Sequence, residues 1–321
     1  MEIFKGEGFS WRGGAAVGRL CFSGEATADG RDALLWVCGE EPRELPPSAV
    51  GTVLLGREGR LPPLLPCPVL TLPCLDPSLG GRIAILDGET QTLFVDPDLE
   101  TLKAYGSPAV EENLPLLYRW VTEPPEMLRG EDGILWKAPP LRDEEALFEC
   151  YRAAAERNPQ LPLTVLLSAE EPDRLRTQLR GVLRGAVYGR FSLLFSGIGT
   201  REEWESCHRL CHEVFCDLES EGRECNGYLP RGLLLDRGMP LLESYDTHRP
   251  DFLCVDAGRL FRSLCGTGEV TADRIRILRD ALGRAFGKEE VWLWVRSLGD
   301  LPVCRGLSRE GGLRPRGWIV P

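Results

Sequence analysis

The chain has 321 residues, 38 of them basic and 49 acidic, for a net charge of −11. That balance excludes a nucleic-acid binder working through phosphate contacts, which need a basic footprint. Hydrophobic residues make up 43% and aromatics 8%, too apolar for a disordered chain, and the length suggests two domains of roughly 150 residues each.

The opening, MEIFKGEGFSWRGG, lacks the apolar core of an export signal. The most apolar run, 61–75, is broken by Pro62, Pro63, Pro66, Pro68 and Pro73 and is too short to span a bilayer. Twelve cysteines without an export signal, and without any C-x-x-C pair, read as reduced thiols. The expectation is a cytoplasmic protein with no membrane and no nucleic-acid partner.

In chain order, the first hundred residues carry short apolar runs between Gly and Pro. Strands are expected at 15–22, 33–38, 52–55, 69–72, 82–86 and 92–95, with a turn at Asp87-Gly88 and a short helix at 98–105. The glycine-rich 13–18 reads as a tight turn into the first of these strands. A polar stretch, 105–113, marks the expected boundary, dividing the chain into 1–108 and 109–321.

Beyond it the pattern alternates. Eight apolar runs, at 115–121, 133–137, 163–167, 191–195, 232–236, 252–255, 291–295 and 318–320, are separated in most cases by helical patterns. The helices are expected at 142–157, 173–187, 200–222, 240–248, 259–265 and 271–287. Thr200 with Glu203 forms a capping-box signature, and Asp143 suits an N-cap. Eight such units over about 210 residues fit a small (β/α)8 barrel, written out here without its last helix. The fold class expected is therefore α/β, a small β-rich domain followed by a TIM-type barrel.

Ligands bind at the C-terminal ends of barrel strands, which selects Lys137, Ser168, Glu170, Asp236, Asp256, Arg259, Arg296 and Asp300. Asp236 and Asp256 follow adjacent strands and either hold a divalent cation between oxygen ligands or pair with Arg237, Arg259 and Arg296. Cys207, His208, Cys211, His212 and Cys216 lie on one helix. Their spacing puts the cysteines in an apolar stripe with Trp204 and Val214, or else leaves His208 and His212 to share a metal face. No histidine occurs before His208, no phosphate-binding G-x-x-x-x-G-K-[ST] loop exists, and no histidine closely follows an expected strand.

The order of segments resembles the phosphoenolpyruvate-utilising family. It is closest to enzyme I of the bacterial sugar phosphotransferase system, and more distant from pyruvate phosphate dikinase. Gly8-Phe9-Ser10 through Gly13-Gly14-Ala15-Ala16-Val17-Gly18 resembles the family's opening G-x-x-x-S-P-G-x-A-x-G. GRIAILDGETQTLFVDP (81–97) resembles the G-D-x-x-x-x-D-G-x-x-G-x-x-x-x-N-P that ends its swivelling phosphohistidine domain. RDEEALFECYRAAAE (142–156) resembles the first long barrel helix, and RTQLRGVLRGAVYGRFSLLF (176–195) the helix and strand after the substrate loop. The resemblance implies a swivelling domain at 1–108, a dimerising phosphoenolpyruvate-type barrel at 109–321, a Mg²⁺ cofactor and phosphotransferase-system protein partners.

The family's reactive positions are replaced. Arg57 to Pro63 stand where the family has the histidine-bearing G-G-x-T-S-H, and Lys137 stands where an L-L-R-T-E strand supplies arginine. The D-I-G-G-D-K loop is absent between Ser168 and Arg174. Asp236 replaces the metal-binding glutamate of V-E-T-P, and Arg259 the metal-binding aspartate of G-T-N-D-L. Trp294 replaces the acid cysteine of C-G-E-x-A-G-D, whose end survives as Gly299-Asp300, and the insert that docks the histidine-carrier protein is missing. A relay needs its nucleophile and a cation clamp on the moving charge. The expectation is a non-catalytic binding or regulatory paralogue with the Mg²⁺ site lost. The alternative is an enzyme acting on a phosphorylated or carboxylate small molecule through a rebuilt mouth of Lys137, Asp236 and Asp256.

Overall fold

The structure, a computed structural model, describes residues 1–6, 10, 14–23, 33–39, 42, 45–56, 65, 67–105, 116–126, 131–237, 248–266, 270–286, 290–308 and 316–321. The chain divides into two compact units, Met1–Pro115 and Leu116–Pro321. The boundary expected at 108/109 lies outside the described residues, as do the expected helix at 240–247 and the segment 57–63.

In the first unit, β1 (Glu2–Lys5), β2 (Ala15–Phe22), β3 (Leu34–Cys38), β4 (Ala49–Leu55), β5 (Val69–Leu72), β6 (Ile83–Asp87) and β7 (Thr92–Val95) form one sheet. Its order is β1-β7-β6-β2-β3-β4-β5. The β1–β7, β7–β6 and β6–β2 pairs are antiparallel, and the β2–β3, β3–β4 and β4–β5 pairs are parallel. The Asp87-Gly88 turn forms as expected: Asp87 Oδ1 accepts from the amides of Glu89 and Thr90 at 2.9 and 3.0 Å. Asp87 Oδ2 accepts from Tyr105 Oη at 2.9 Å, tying down the end of α1 (Leu99–Tyr105). Gly14 has φ +91° just before β2, the left-handed conformation that a turn into a strand there requires. Strand β1 escaped the sequence reading because it is an edge strand of mostly exposed residues, so no apolar run betrays it.

In the second unit, eight parallel strands close a barrel: β8 (Leu116–Val121), β9 (Gly133–Lys137), β10 (Leu163–Ser168), β11 (Phe191–Ser196), β12 (Arg231–Leu235), β13 (Phe252–Asp256), β14 (Glu290–Trp294) and β15 (Gly317–Val320). Each pairs with the next, and β15 pairs with β8 to complete the ring. The helices among the described residues are α2 (Glu144–Arg157), α3 (Pro172–Gly185), α4 (Arg201–Ser220), α5 (Ala257–Cys265), α6 (Ala272–Phe286) and α7 (Leu301–Ser308). Local chemistry starts them where the sequence placed them. Asp143 caps α2 through Ala146 N at 2.8 Å, Pro172 opens α3, and Thr200 and Glu203 form the capping box of α4. Two corrections apply. Asp256 caps α5 directly at the end of β13, so that helix begins at Ala257 rather than 259. The sequence reading gave no helix at 301–308; there Gly306 lets α7 lie against Ile275 of α6.

The barrel interior is unusually aromatic. Tyr118, Trp120, Trp292 and Trp294 alternate inward with Leu135, Leu194, Leu234, Cys254 and Ile319. Trp136 points the other way, against Tyr151 of α2 at 5.1 Å between ring centroids. No helix of the structure is long and apolar enough to cross a membrane.

Candidate functional site

At the C-terminal end of the barrel, strand alternation sends Asp236, Asp256 and Arg296 inward from β12, β13 and β14. Asp256 is fully buried. Its Oδ1 accepts from Arg259 N at 3.1 Å, and its Oδ2 accepts from Arg296 Nε at 2.5 Å and lies 3.7 Å from Arg259 Nε. Arg259 reaches the second carboxylate too, with Nη1 3.7 Å from Asp236 Oδ2, while Asp236 Oδ1 pairs with Arg237 Nε at 3.2 Å. Burial pushes the Asp256 carboxyl above the usual carboxylate range, against the opposing pull of the Arg259 amide and of Arg296.

Asp300 braces this cluster from behind. It is buried, and its Oδ2 accepts from Arg296 N at 3.1 Å and from Ser297 N and Oγ at 3.0 and 3.2 Å. Its Oδ1 lies 3.6 Å from Arg262 Nη1. The Arg296 guanidinium sits 3.8 Å over the Trp294 ring, a cation–π stack, and Trp294 packs at 4.6 Å on Trp120 inside the barrel. A Cβ on Gly258 would overlap Asp300 Oδ1, so only glycine permits this approach of α5.

Asp236, Asp256, Arg259, Arg296 and Asp300 are thus brought into one network. Lys137 and Ser168 are not. Lys137 is exposed and makes no ion pair among the described residues, and Ser168 Oγ only accepts from Glu170 N at 3.3 Å. Arg237 also reaches toward Glu170, 4.0 Å away. The sequence reading missed Arg262, Ser297 and Gly258. Arg262 was recoverable in principle, since it follows Arg259 by three on the same helix face; Ser297 and Gly258 carry no signal without the fold.

The cysteine-rich helix α4 resolves toward packing. Cys207 and Cys211 are buried, and burial pushes their thiols up to about 12 and about 11, so both are neutral small hydrophobes. No group of three or more metal-capable side chains occurs among the described residues. His208 instead stacks on His248 at 4.6 Å, and its Nε2 accepts from Arg231 Nη1 at 2.8 Å. Burial, followed by Arg231 and His248, lowers the His208 pKa; Asp251 opposes this and His212 adds to it weakly. A lowered pKa means the unfolded chain binds the proton more tightly. Stability is therefore present above the ordinary histidine range and is lost as pH falls through it toward the lower native value. The urea midpoint should fall between pH 7.5 and 5.5, and His208→Phe should flatten that dependence; an unchanged slope would refute the assignment.

Fold and site together define a (β/α)8-barrel protein whose mouth carries a network of arginine–carboxylate pairs. No protein-family model matches the chain. In sequence it is similar to phosphoenolpyruvate-protein phosphotransferases: 24% identical over 233 residues to that of Priestia megaterium, covering 54% of this chain and 41% of the relative. It is 29% identical over 82 residues to that of Staphylococcus carnosus (strain TM300), covering 25% of this chain and 14% of the relative. The chain thus spans under half the length of either relative. Among solved structures, a citrate lyase from Burkholderia xenovorans LB400 matches with a TM-score of 0.44 at 13% identity, over 66% of this chain and 75% of that one.

Proposed function

We propose that this chain is a phosphoenolpyruvate-protein phosphotransferase-like protein that does not run the phosphoryl relay and serves as a binding or regulatory module in a phosphotransferase context. The observation that carries the reading is the Arg259 guanidinium, 3.7 Å from both Asp236 and Asp256. In the relatives' motif that position resembles a metal-binding aspartate; here it brings a cation. Three carboxylates, Asp236, Asp256 and Asp300, face four guanidinium groups, Arg237, Arg259, Arg262 and Arg296.

This donor set does not fit Mg²⁺. A fixed positive charge about 4 Å from a divalent ion is repulsive by roughly 2 kcal/mol even in water, and by more in a partly dry cleft. Mg²⁺ also demands near-octahedral oxygen ligands, and Asp256 already spends both oxygens on Arg259 N and Arg296 Nε. The absence of histidine before His208 removes the relay nucleophile from 1–108, the segment proposed as the swivelling domain. The rival enzyme reading needs Lys137 to converge with Asp236 and Asp256; strand alternation puts it on the same inward side as Leu135, but it makes no ion pair with either acid among the described residues.

Two measurements test the proposal together. The purified protein should take up no label within 1–108 from labelled phosphoenolpyruvate and Mg²⁺, and calorimetric titration with Mn²⁺ should show no saturable binding below about 100 μM, equivalent to about −5.5 kcal/mol. Label in that segment, or tight Mn²⁺ binding abolished by Asp236→Ala, would revive catalysis. The same proposal includes a homodimer through 109–321, for which light scattering should give twice the 35.7 kDa chain mass at micromolar concentration; a monomer rejects it.

A further inference from the structure

A second cavity region lies at the opposite end of the barrel, where the strands begin. It has a volume of about 680 Å³, within the range of small-molecule sites. Barrel interiors are ordinarily filled at this level by layers of branched aliphatic side chains. Here Gly133, Gly232 and Gly317 occupy strand-start positions. A Cβ on each would overlap the ring of Tyr118, Phe252 and Trp292 respectively. With no Cβ in the way, the three rings lie against strand backbone. Tyr118 and Trp292 meet at 4.3 Å and 50°, giving the cavity tilted aromatic walls.

Polar groups share the lining with the rings, Gln160 and Asn226 among them. Thr164 Oγ1 and Ser192 Oγ bond each other at 2.8 Å, while the Tyr118 hydroxyl has no hydrogen bond among the described residues. Four charged residues line the rim. Asp132 accepts from Leu117 N at 2.8 Å, and Arg316 lies 3.9 Å from Glu290, which leaves Arg190 as the rim cation with no ion pair among the described residues. Beside it Tyr228 lines the same cavity with 88% of its surface exposed, an aromatic ring that a bound molecule would cover.

We propose that this cavity binds a planar aromatic carboxylate, its rings against Tyr118, Phe252 and Trp292 and its carboxylate on Arg190. Aromatic walls favour offset or edge-to-face contact with a flat ring system, and the guanidinium fork matches a carboxylate bidentately. This inference goes beyond the reading of the barrel mouth and does not depend on it.

The test titrates the full chain with 2-naphthoate, using uncharged 2-naphthylmethanol as the control, by calorimetry. One-to-one binding of naphthoate is expected with a Kd below about 1 mM, and the alcohol should bind about tenfold more weakly. Arg190 is exposed, so Arg190→Ala leaves the fold intact and should bring naphthoate down to the affinity of the alcohol without changing the alcohol itself. Ser192→Phe, which fills the cavity, should abolish both. Independently of any variant, naphthoate protons should show nuclear Overhauser contacts to the Trp292 indole. No saturable binding of naphthoate at 1 mM, affinity indifferent to both substitutions, or contacts to other tryptophans but not Trp292 would each overturn the proposal.

Discussion

Gly258→Ala should destabilise the barrel unit by about 1–3 kcal/mol, although it adds one methyl group. The new Cβ would overlap Asp300 Oδ1, and the backbone of α5 cannot retreat because Asp256 caps it from the end of β13. Asp300 must move instead. Its departure strands the part-buried amide of Arg296, at about 1–3 kcal/mol if left without a partner, while water can take up the amide of the exposed Ser297. For a unit of this size, that corresponds to a fall in Tm of about 2–12 °C. Denaturant unfolding of Gly258→Ala, Asp300→Ala and the double variant separates the mechanism from general helix effects. The double variant should be more stable than the sum of the two losses, since removing the carboxylate removes the clash. Strict additivity would show that the two residues do not meet.

Asp256→Ala should cost at least as much, about 2–4 kcal/mol. It deletes the cap on Arg259 N, worth about 1 kcal/mol, and it leaves Arg296 facing an apolar site. Breaking a fully buried pair costs about 3–5 kcal/mol, a figure reduced here because Arg296 is one-third exposed. Asp256→Asn keeps the shape and an oxygen for the cap, so it should recover about half of the loss. Were the Asn variant as damaging as the Ala variant, the charge pairing rather than the cap would dominate. Were both within 0.5 kcal/mol of the native chain, the network at the mouth would be ornamental and its place in the proposed function would fall. Asp256→Ala and Asp236→Ala should also differ in size. Asp236 is partly exposed and pairs with exposed arginines, and such pairs contribute about 0–1 kcal/mol.

Much of the architecture was legible along the chain because it rests on local rules. Short continuous apolar runs marked all eight barrel strands to within a residue or two, and the caps at Asp143 and Thr200 announced α2 and α4 through hydrogen bonds made within three residues. The turn at Asp87-Gly88 is likewise self-contained. The elements that escaped were those whose reasons are not local. Strand β1 exists because β7 offers an open edge, and Gly306 lets α7 pack on Ile275 of α6.

The site divides the same way. Sequence alone placed Asp236, Asp256, Arg259, Arg296 and Asp300 at strand ends, and the resemblance led to the expectation that the carboxylates meet arginines in place of a cation. Which arginine each carboxylate meets depends on distances between β12, β13, β14 and α5, which no spacing along the chain encodes. Sequence also left Lys137 as a partner for the acids; in the folded barrel it follows the inward-facing Leu135 by two but makes no ion pair among the described residues. Least legible of all was the cavity at the other end. Glycine 133, 232 and 317 look like ordinary weak points of three strands until closure of the ring sets Tyr118, Phe252 and Trp292 against them. Hydrophobic periodicity and capping are written in short windows of sequence, whereas charge pairing and empty space are properties of what the closed barrel brings face to face.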